Sequence, residues 1–142
     1  MSKSAIFWFF FAASTCPYLH VDAAPAQFNA ILESEDPRFV KPVENLIHRF
    51  SEELGALLTV KPSGITRIYL VRGEFELKDK VVELGLSRPP KWAFGACWTA
   101  QQIIMVRLDA SRKEVFQTIR HELTHLFTSE SFKSAGAPLW FT

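Results

Sequence analysis

Two histidines and a glutamate near the end of the chain have the residue types and the spacing of a metal-activated hydrolytic site. They are His121, Glu122 and His125, within the sequence HELTH. Residues four apart on an α-helix lie one turn along the same face, so both imidazoles can reach one ion. Zinc accepts histidine nitrogens at about 2.0–2.1 Å and leaves a position for water in catalytic sites. Glu122 would take a proton from that water. The alternative interpretation is a chance match on an ordinary helix.

The residues around this motif predict that it lies on a helix. Ser111 and Glu114 have the spacing of a capping box, with Ser111 as the N-cap residue and Glu114 at the third helical position. Apolar side chains then recur at helical spacing beside the histidines: Val115, Phe116, Ile119, Leu123, Leu126 and Phe127. This pattern indicates a buried helix that carries the site on one edge.

The rest of the chain supplies the elements that must position this helix. Residues 65–71 (ITRIYLV) and 102–108 (QIIMVRL) are typical of buried strands. A long helix is predicted to begin at Pro37, behind Asp36. Residues 75–86 read as a helix, or a helix with a loop, before the break at Pro89-Pro90. These elements predict an α+β domain, in which helices pack on a small, mainly antiparallel sheet with the motif helix beneath its edge.

Composition limits the possible classes of protein. A chain of 142 residues is long enough for one domain. Its 48% hydrophobic content and 13 Phe indicate a packed core rather than a disordered chain. The net charge of +1 provides neither the basic surface expected of a nucleic-acid-binding protein nor a polybasic membrane patch. We therefore expect no nucleic-acid partner.

The beginning of the chain has the layout of a secretory signal peptide. A lysine at position 3 precedes the apolar run AIFWFFFAA, and small residues follow at 21–26. The run is shorter than the about 20 apolar residues that span a bilayer. We predict a signal peptide over residues 1–24, a mature domain over 25–142, and export to a periplasm or to the extracellular space, with no stable membrane span after cleavage. An uncleaved anchor and a lipoprotein signal ending at Cys16 are the alternatives.

The cysteines are consistent with export. Because Cys16 lies in the predicted signal, Cys97 is the one thiol of the predicted mature chain, and no internal disulfide can form. The sequence favours Cys97 as a small packed residue over a metal ligand or a nucleophile.

Together, the two strands, the aromatic and glycine-containing segment 92–98, the capped HELTH helix and Pro138-Leu139-Trp140 resemble the first half of a gluzincin zinc metallopeptidase of the group with a peptidase MA-like domain. The resemblance covers about residues 60–142. It implies Zn²⁺ as the cofactor, His121 and His125 as metal ligands, Glu122 as the general base, and a peptide or protein as the substrate.

The resemblance also implies where a third zinc ligand should occur. In that family the motif helix is followed by P-x-W-x-x-E-G, whose glutamate binds the metal. The matching segment here is Pro138-Leu139-Trp140-Phe141-Thr142, which places that glutamate directly after Thr142. We therefore expect a truncated domain, incomplete at its C-terminus, with two of the three ligands. Glu130 is predicted to face away from the histidines, and Asp109 to be a turn residue.

A substrate-binding strand is a further expectation from the resemblance. In gluzincins an edge strand lies along the cleft, and the substrate backbone adds to it as another strand. The strand 102–108 and the segment before it would take this role, with Phe94, Gly95 and Ala96 accessible to a peptide. The alternative is an ordinary loop that enters a strand. Two other functions stay open for the whole chain: an inactive exported remnant or interaction module, and a metal-binding protein without hydrolytic activity.

Overall fold

A computed structural model describes residues 27–135, and these form four strands and three helices. The predicted α+β class is confirmed. In chain order the elements are β1 (Asn29–Ser34), α1 (Pro37–Leu58), β2 (Ile65–Val71), α2 (Glu74–Glu83), β3 (Gly95–Trp98), β4 (Ile103–Arg107) and α3 (Arg112–Ala135). The predicted signal peptide and the Pro138-Leu139-Trp140 segment lie outside the described residues.

The strands form one sheet in the order β1-β2-β4-β3. β1 pairs with β2 and β2 with β4 in parallel, whereas β3 and β4 are antiparallel. The prediction of a mainly antiparallel sheet is therefore wrong. The reason lies in the connections, because parallel neighbours need a long crossover that usually contains a helix. α1 lies between β1 and β2 along the chain, and α2 lies between β2 and β4. The antiparallel pair is joined instead by a short turn over residues 99–102.

Helices cover both faces of the sheet. On one face, α1 and α3 pack with alternate residues of β2 and β4 around a core that includes Ile68, Ile104 and Phe127. On the other face, α2 packs on a smaller cluster that includes Tyr69 and Met105. β2 thus contributes alternate side chains to two cores, as expected of a strand whose residues alternate between faces. The motif helix belongs to the larger core.

The helix before β2 begins where the sequence predicts. Asp36 is the N-cap residue, and its carboxylate accepts a hydrogen bond of 2.9 Å from the backbone N–H of Arg38. Pro37 follows in the first turn, where its missing N–H leaves no helical hydrogen bond unmade. α1 then packs Val43, Leu46 and other apolar residues beneath the sheet. β1, which the sequence analysis did not predict, lies at the outer side of β2 with mostly exposed side chains.

The motif helix α3 carries the predicted capping box. The Ser111 backbone N–H donates to the Glu114 carboxylate at 2.9 Å, and the Glu114 N–H donates to the Ser111 hydroxyl at 3.2 Å. Five of the six predicted stripe residues are buried, each at most 2% exposed: Val115, Ile119, Leu123, Leu126 and Phe127. The sixth, Phe116, is partly buried and packs against the same core. The stripe fixes the rotation of α3 about its axis, and so determines where the histidines lie.

We expect loss of the capping box to destabilise the domain. Ser111→Ala should lower the free energy of unfolding by about 0.5–2 kcal/mol, because the N–H of Glu114 loses its acceptor. Urea denaturation measures this change. Glu114→Gln is the matched control and should retain most of the stability, since glutamine also completes a capping box. An unchanged midpoint for Ser111→Ala would contradict a role for the box in stability.

No helix within residues 27–135 is both long enough and apolar enough to cross a membrane.

Candidate metal centre

The two motif histidines converge on one point at the surface of α3. Both side chains are exposed, and their Nε2 atoms lie 2.9 Å apart. The rings meet edge to face, with centroids 4.5 Å apart and an interplanar angle of 83°. This convergence follows from the i, i+4 spacing, which places both side chains over the same turn. The arrangement brings together the two predicted metal ligands.

The two Nε2 atoms lie at hydrogen-bond distance from each other, which is a little shorter than the spacing of two zinc ligands. With zinc–nitrogen distances of about 2.0–2.1 Å, two nitrogens of a tetrahedral site lie about 3.3 Å apart. Small ring rotations would open the present 2.9 Å to that separation. Zinc also requires neutral imidazole. Although His125 is exposed at the surface of the helix, partial desolvation lowers its pKa, and the charge of His121 lowers that pKa further. Both effects favour the neutral, metal-binding form of His125.

Glu122 differs from the two motif histidines in being enclosed. Its side chain is on the buried side of the helix, and the residue is 7% exposed. Burial raises the pKa of the Glu122 carboxyl, and the charge of His121 partly opposes that rise. Within residues 27–135 no hydrogen bond is made to this carboxylate, and no fully enclosed side-chain oxygen lacks a partner. The carboxylate oxygens therefore retain access to the cleft, as a proton acceptor requires.

β3 lies beside the motif as the outer strand of the described sheet. α3 contacts both β3 and β4. The segment 92–98 was predicted to be either a substrate-binding strand or a loop, and its second half is a strand. The strand 102–108, which the sequence analysis also considered for the edge, instead lies inside the sheet as β4.

The pairing of β3 shows which of its backbone groups face outward. The Arg107 N–H donates to the Phe94 carbonyl at 2.8 Å, and these residues continue the register of Ala96 with Met105. Hydrogen-bonded and non-hydrogen-bonded pairs alternate in an antiparallel ladder. Gly95 and Cys97 are therefore the positions whose N–H and C=O groups point to the open edge. Of the three predicted substrate-binding residues, Gly95 presents its backbone there, whereas those of Phe94 and Ala96 face β4.

At Gly95, β3 lies in close contact with α3. A Cβ added to it would lie 2.5 Å from Thr118 Cγ2, 3.1 Å from the Met105 carbonyl oxygen and 3.3 Å from Glu122 Cγ. The first distance is shorter than any van der Waals contact. The absence of a side chain at this position is what allows the edge strand to lie directly against the motif helix.

We expect Gly95→Ala to be destabilising by about 1–3 kcal/mol, because the added methyl group overpacks the contact with α3. Urea denaturation checks the effect. The double variant Gly95→Ala with Thr118→Ser removes the methyl group that lies nearest, and should recover part of the loss. Equal stability of Gly95→Ala and the unchanged chain would show that the strand and helix do not pack this closely.

Two clefts open at the motif, and Gly95 lines both of them. One, of about 430 Å³, extends past Ala96, Cys97 and His125. The other, of about 350 Å³, extends past Phe94 and Thr118. They share His121 and Glu122, together with Trp92, Ala93 and Gly95. The structure thus brings the three predicted substrate-binding residues to the motif, with Phe94 lining one cleft and Ala96 the other.

The other side chains considered as metal ligands are paired with neighbours outside the motif. Asp109 pairs with Arg107 at 2.6 Å, and Glu130 pairs with Lys133 at 3.2 Å. His48 lies exposed on α1, 3.8 Å from Glu52. Within residues 27–135, no group of three or more His, Cys, Asp or Glu side chains is arranged to hold a metal. The described part of the chain therefore provides two histidines and a carboxylate, without a third ligand.

Cys97 is a neighbour of Glu122 that the sequence did not reveal. It lies half-buried on β3, packs against the larger core and lines the 430 Å³ cleft. Burial, reinforced by the charge of Glu122, raises the pKa of the Cys97 thiol to about 12. The prediction of a packed residue is consistent with these contacts. Its proximity to the motif depends on the register of β3 with β4, which no local pattern specifies.

We expect the Cys97 thiol to react slowly. In a Cys16→Ser variant, alkylation by iodoacetamide at mildly alkaline pH should be roughly 10²-fold slower for the folded chain than for the chain in guanidinium, because a raised pKa leaves little thiolate. Mass spectrometry over time gives both rates. Similar rates in the folded and unfolded chain would contradict the burial and the raised pKa.

Comparison with known proteins gave no match to a family model, a curated protein or a solved structure.

Proposed function

We propose that this chain is a zinc-dependent peptide hydrolase of the gluzincin type. The observation that carries the proposal is the convergence of the His121 and His125 Nε2 atoms to 2.9 Å beside the buried carboxylate of Glu122. A zinc ion held by such a pair lowers the pKa of its bound water toward neutrality and polarises a carbonyl group. The remaining chemistry would come from residues of this chain.

Glu122 would move the proton. A carboxylate that adjoins the first histidine and opens into the cleft can accept a proton from the attacking water and return it to the leaving amine. The raised pKa of Glu122 suits this role, because a general base works best when its pKa approaches the working pH. Enclosure by β3 also limits the water around the carboxylate, which strengthens its interactions.

The outer edge of β3 would bind the substrate backbone. The N–H and C=O groups of Gly95 and Cys97 can pair with an extended peptide as an added strand. The absence of a side chain at Gly95 lets β3 lie against α3, so a peptide paired with β3 would lie close to Glu122. A peptide bond held along this edge would lie near His121 and Glu122, which line both clefts.

A metal-binding or interaction module without hydrolytic activity is the second candidate. The observation that favours it is that residues 27–135 supply no third ligand. Two histidines alone should bind zinc less tightly than a three-ligand site. Export of the chain through a signal peptide over residues 1–24 stays a prediction with either function.

Zinc titration followed by a peptide-cleavage assay separates these functions. We expect the purified chain to bind one zinc ion and to cleave casein or a mixed peptide library, and His121→Ala to do neither. Zinc binding without cleavage would favour the metal-binding module. If the chain neither binds zinc nor cleaves peptides, that result would contradict a zinc site of any kind in this chain. It would favour the interaction module.

A further inference from the structure

Two large aromatic side chains are exposed at the mouth of the candidate site. Trp92 is 80% exposed and Phe94 is 46% exposed. Single exposed apolar residues are common on protein surfaces. These two are notable for their position, because Trp92 lines both clefts and Phe94 lines one of them, each together with His121 and Glu122. Aromatic rings of this kind supply much of the energy of peptide recognition.

Phe94 is held in place from behind. The guanidinium of Arg107 lies 5.0 Å from the centre of the Phe94 ring, and the Arg107 backbone N–H donates to the Phe94 carbonyl. Arg107 is itself held by two hydrogen bonds to Asp109, at 2.6 and 2.9 Å, and its side chain is 12% exposed. The Phe94 ring therefore contacts a side chain that is itself held in place, which favours one position of the ring beside the cleft.

Apart from the motif, the clefts carry no formal charge. The larger one is completed by small, apolar or hydroxyl-bearing residues, among them Pro89, Pro90, Ala96, Thr99 and Thr128. The smaller one adds Gln117 and Thr118. A charged substrate side chain would lose water there without gaining an opposite charge outside the motif, which is unfavourable. An apolar side chain would instead gain by covering Trp92.

We propose that this site selects peptides with a large apolar or aromatic side chain next to the cleaved bond, and that Trp92 is the residue that contacts this side chain. The position of the cleaved bond rests on the proposed function. The side-chain preference does not, because binding can be measured without hydrolysis. Trp92 would act as a specificity-determining residue, with Arg107 positioning the neighbouring Phe94.

The test measures peptide binding to a chain that is expected not to cleave. We would use full-length Glu122→Gln with zinc, and labelled peptides that differ only in one central residue, either Phe, Ala or Lys. Fluorescence anisotropy should show about tenfold tighter binding of the Phe peptide, which corresponds to about 1.4 kcal/mol. In the Trp92→Ala background the Phe peptide should lose this advantage, and in Trp92→Phe it should keep most of it.

Phe75→Ala is the matched control, since Phe75 is 73% exposed on α2 and lines neither cleft. It should leave the preference unchanged. Equal binding of the Phe and Ala peptides, a preference that survives Trp92→Ala, or no peptide binding would each overturn the inference. If Glu122→Gln binds the Phe peptide selectively but the unchanged chain, with Glu122 present, never cleaves it, the inference is supported and the proposed hydrolysis is overturned. If the unchanged chain cleaves peptides without any side-chain preference, the proposed hydrolysis is supported and the inference about Trp92 is overturned.

Discussion

Glu122→Gln should greatly slow peptide hydrolysis while leaving zinc bound. Glutamine preserves the size of the side chain but cannot accept the proton of the attacking water, and general acid–base catalysis contributes about 10²–10⁴-fold to rate. We therefore expect the rate of cleavage to fall by about that factor. The histidine pair is untouched by the change, so zinc titration should give the same stoichiometry as for the unchanged chain.

The same variant has a second expected effect, on stability. Burial raises the pKa of Glu122 above its usual 4.5, so the folded chain favours the protonated form. Protonated Glu122 therefore contributes to the free energy of unfolding below pH 4.5. This contribution is lost as the pH rises through the pKa that Glu122 has in the folded chain. In metal-free protein, Glu122→Gln should therefore raise the urea midpoint at neutral pH and change it little well below pH 4.5.

Undiminished hydrolysis by Glu122→Gln would contradict the assignment of the general base.

Replacing either motif histidine should remove the zinc-dependent part of the stability. A ligand that binds only the folded state stabilises it by about 2.7 kcal/mol at a hundred times its dissociation constant. We expect the unchanged chain to show a zinc-induced rise of its melting temperature. His121→Ala and His125→Ala should lose this rise, because one imidazole alone leaves most zinc positions to water.

His48→Ala is the matched control for the histidine variants. His48 is also exposed on a helix, yet lies beside Glu52 on α1 rather than beside a second histidine. The zinc-induced shift should be the same with and without His48. A shift that persists in His121→Ala, or that disappears in His48→Ala, would place the bound zinc somewhere other than the HELTH pair.

Two of the three helices, α1 and α3, begin where the sequence predicts because their start signals are local. Asp36 with Pro37 and Ser111 with Glu114 mark the two N-termini, and the apolar stripe of α3 is buried as its spacing predicts. The direction of the strands could not be predicted, because it depends on which strands become neighbours. β1 in particular lies at an edge, and its exposed side chains give only a weak apolar pattern.

In the candidate site too, some features follow from the local sequence and others depend on long-range strand pairing. The convergence of His121 and His125 follows from spacing along one helix, so the sequence alone predicts it. The contact between Gly95 and the motif, the outward-facing backbone of Cys97 and the position of Trp92 all depend on how β3 pairs with β4. These long-range features bring the proposed substrate edge to the proposed catalytic group.

The central claim is that the HELTH histidines hold a zinc ion, and anomalous X-ray diffraction at the zinc absorption edge tests it most directly. Crystals grown with zinc should show one anomalous peak about 2.0–2.1 Å from the Nε2 atoms of both His121 and His125, with the Glu122 carboxylate facing it. Zinc bound elsewhere, or the absence of a peak between these nitrogens at saturating zinc, would contradict the account.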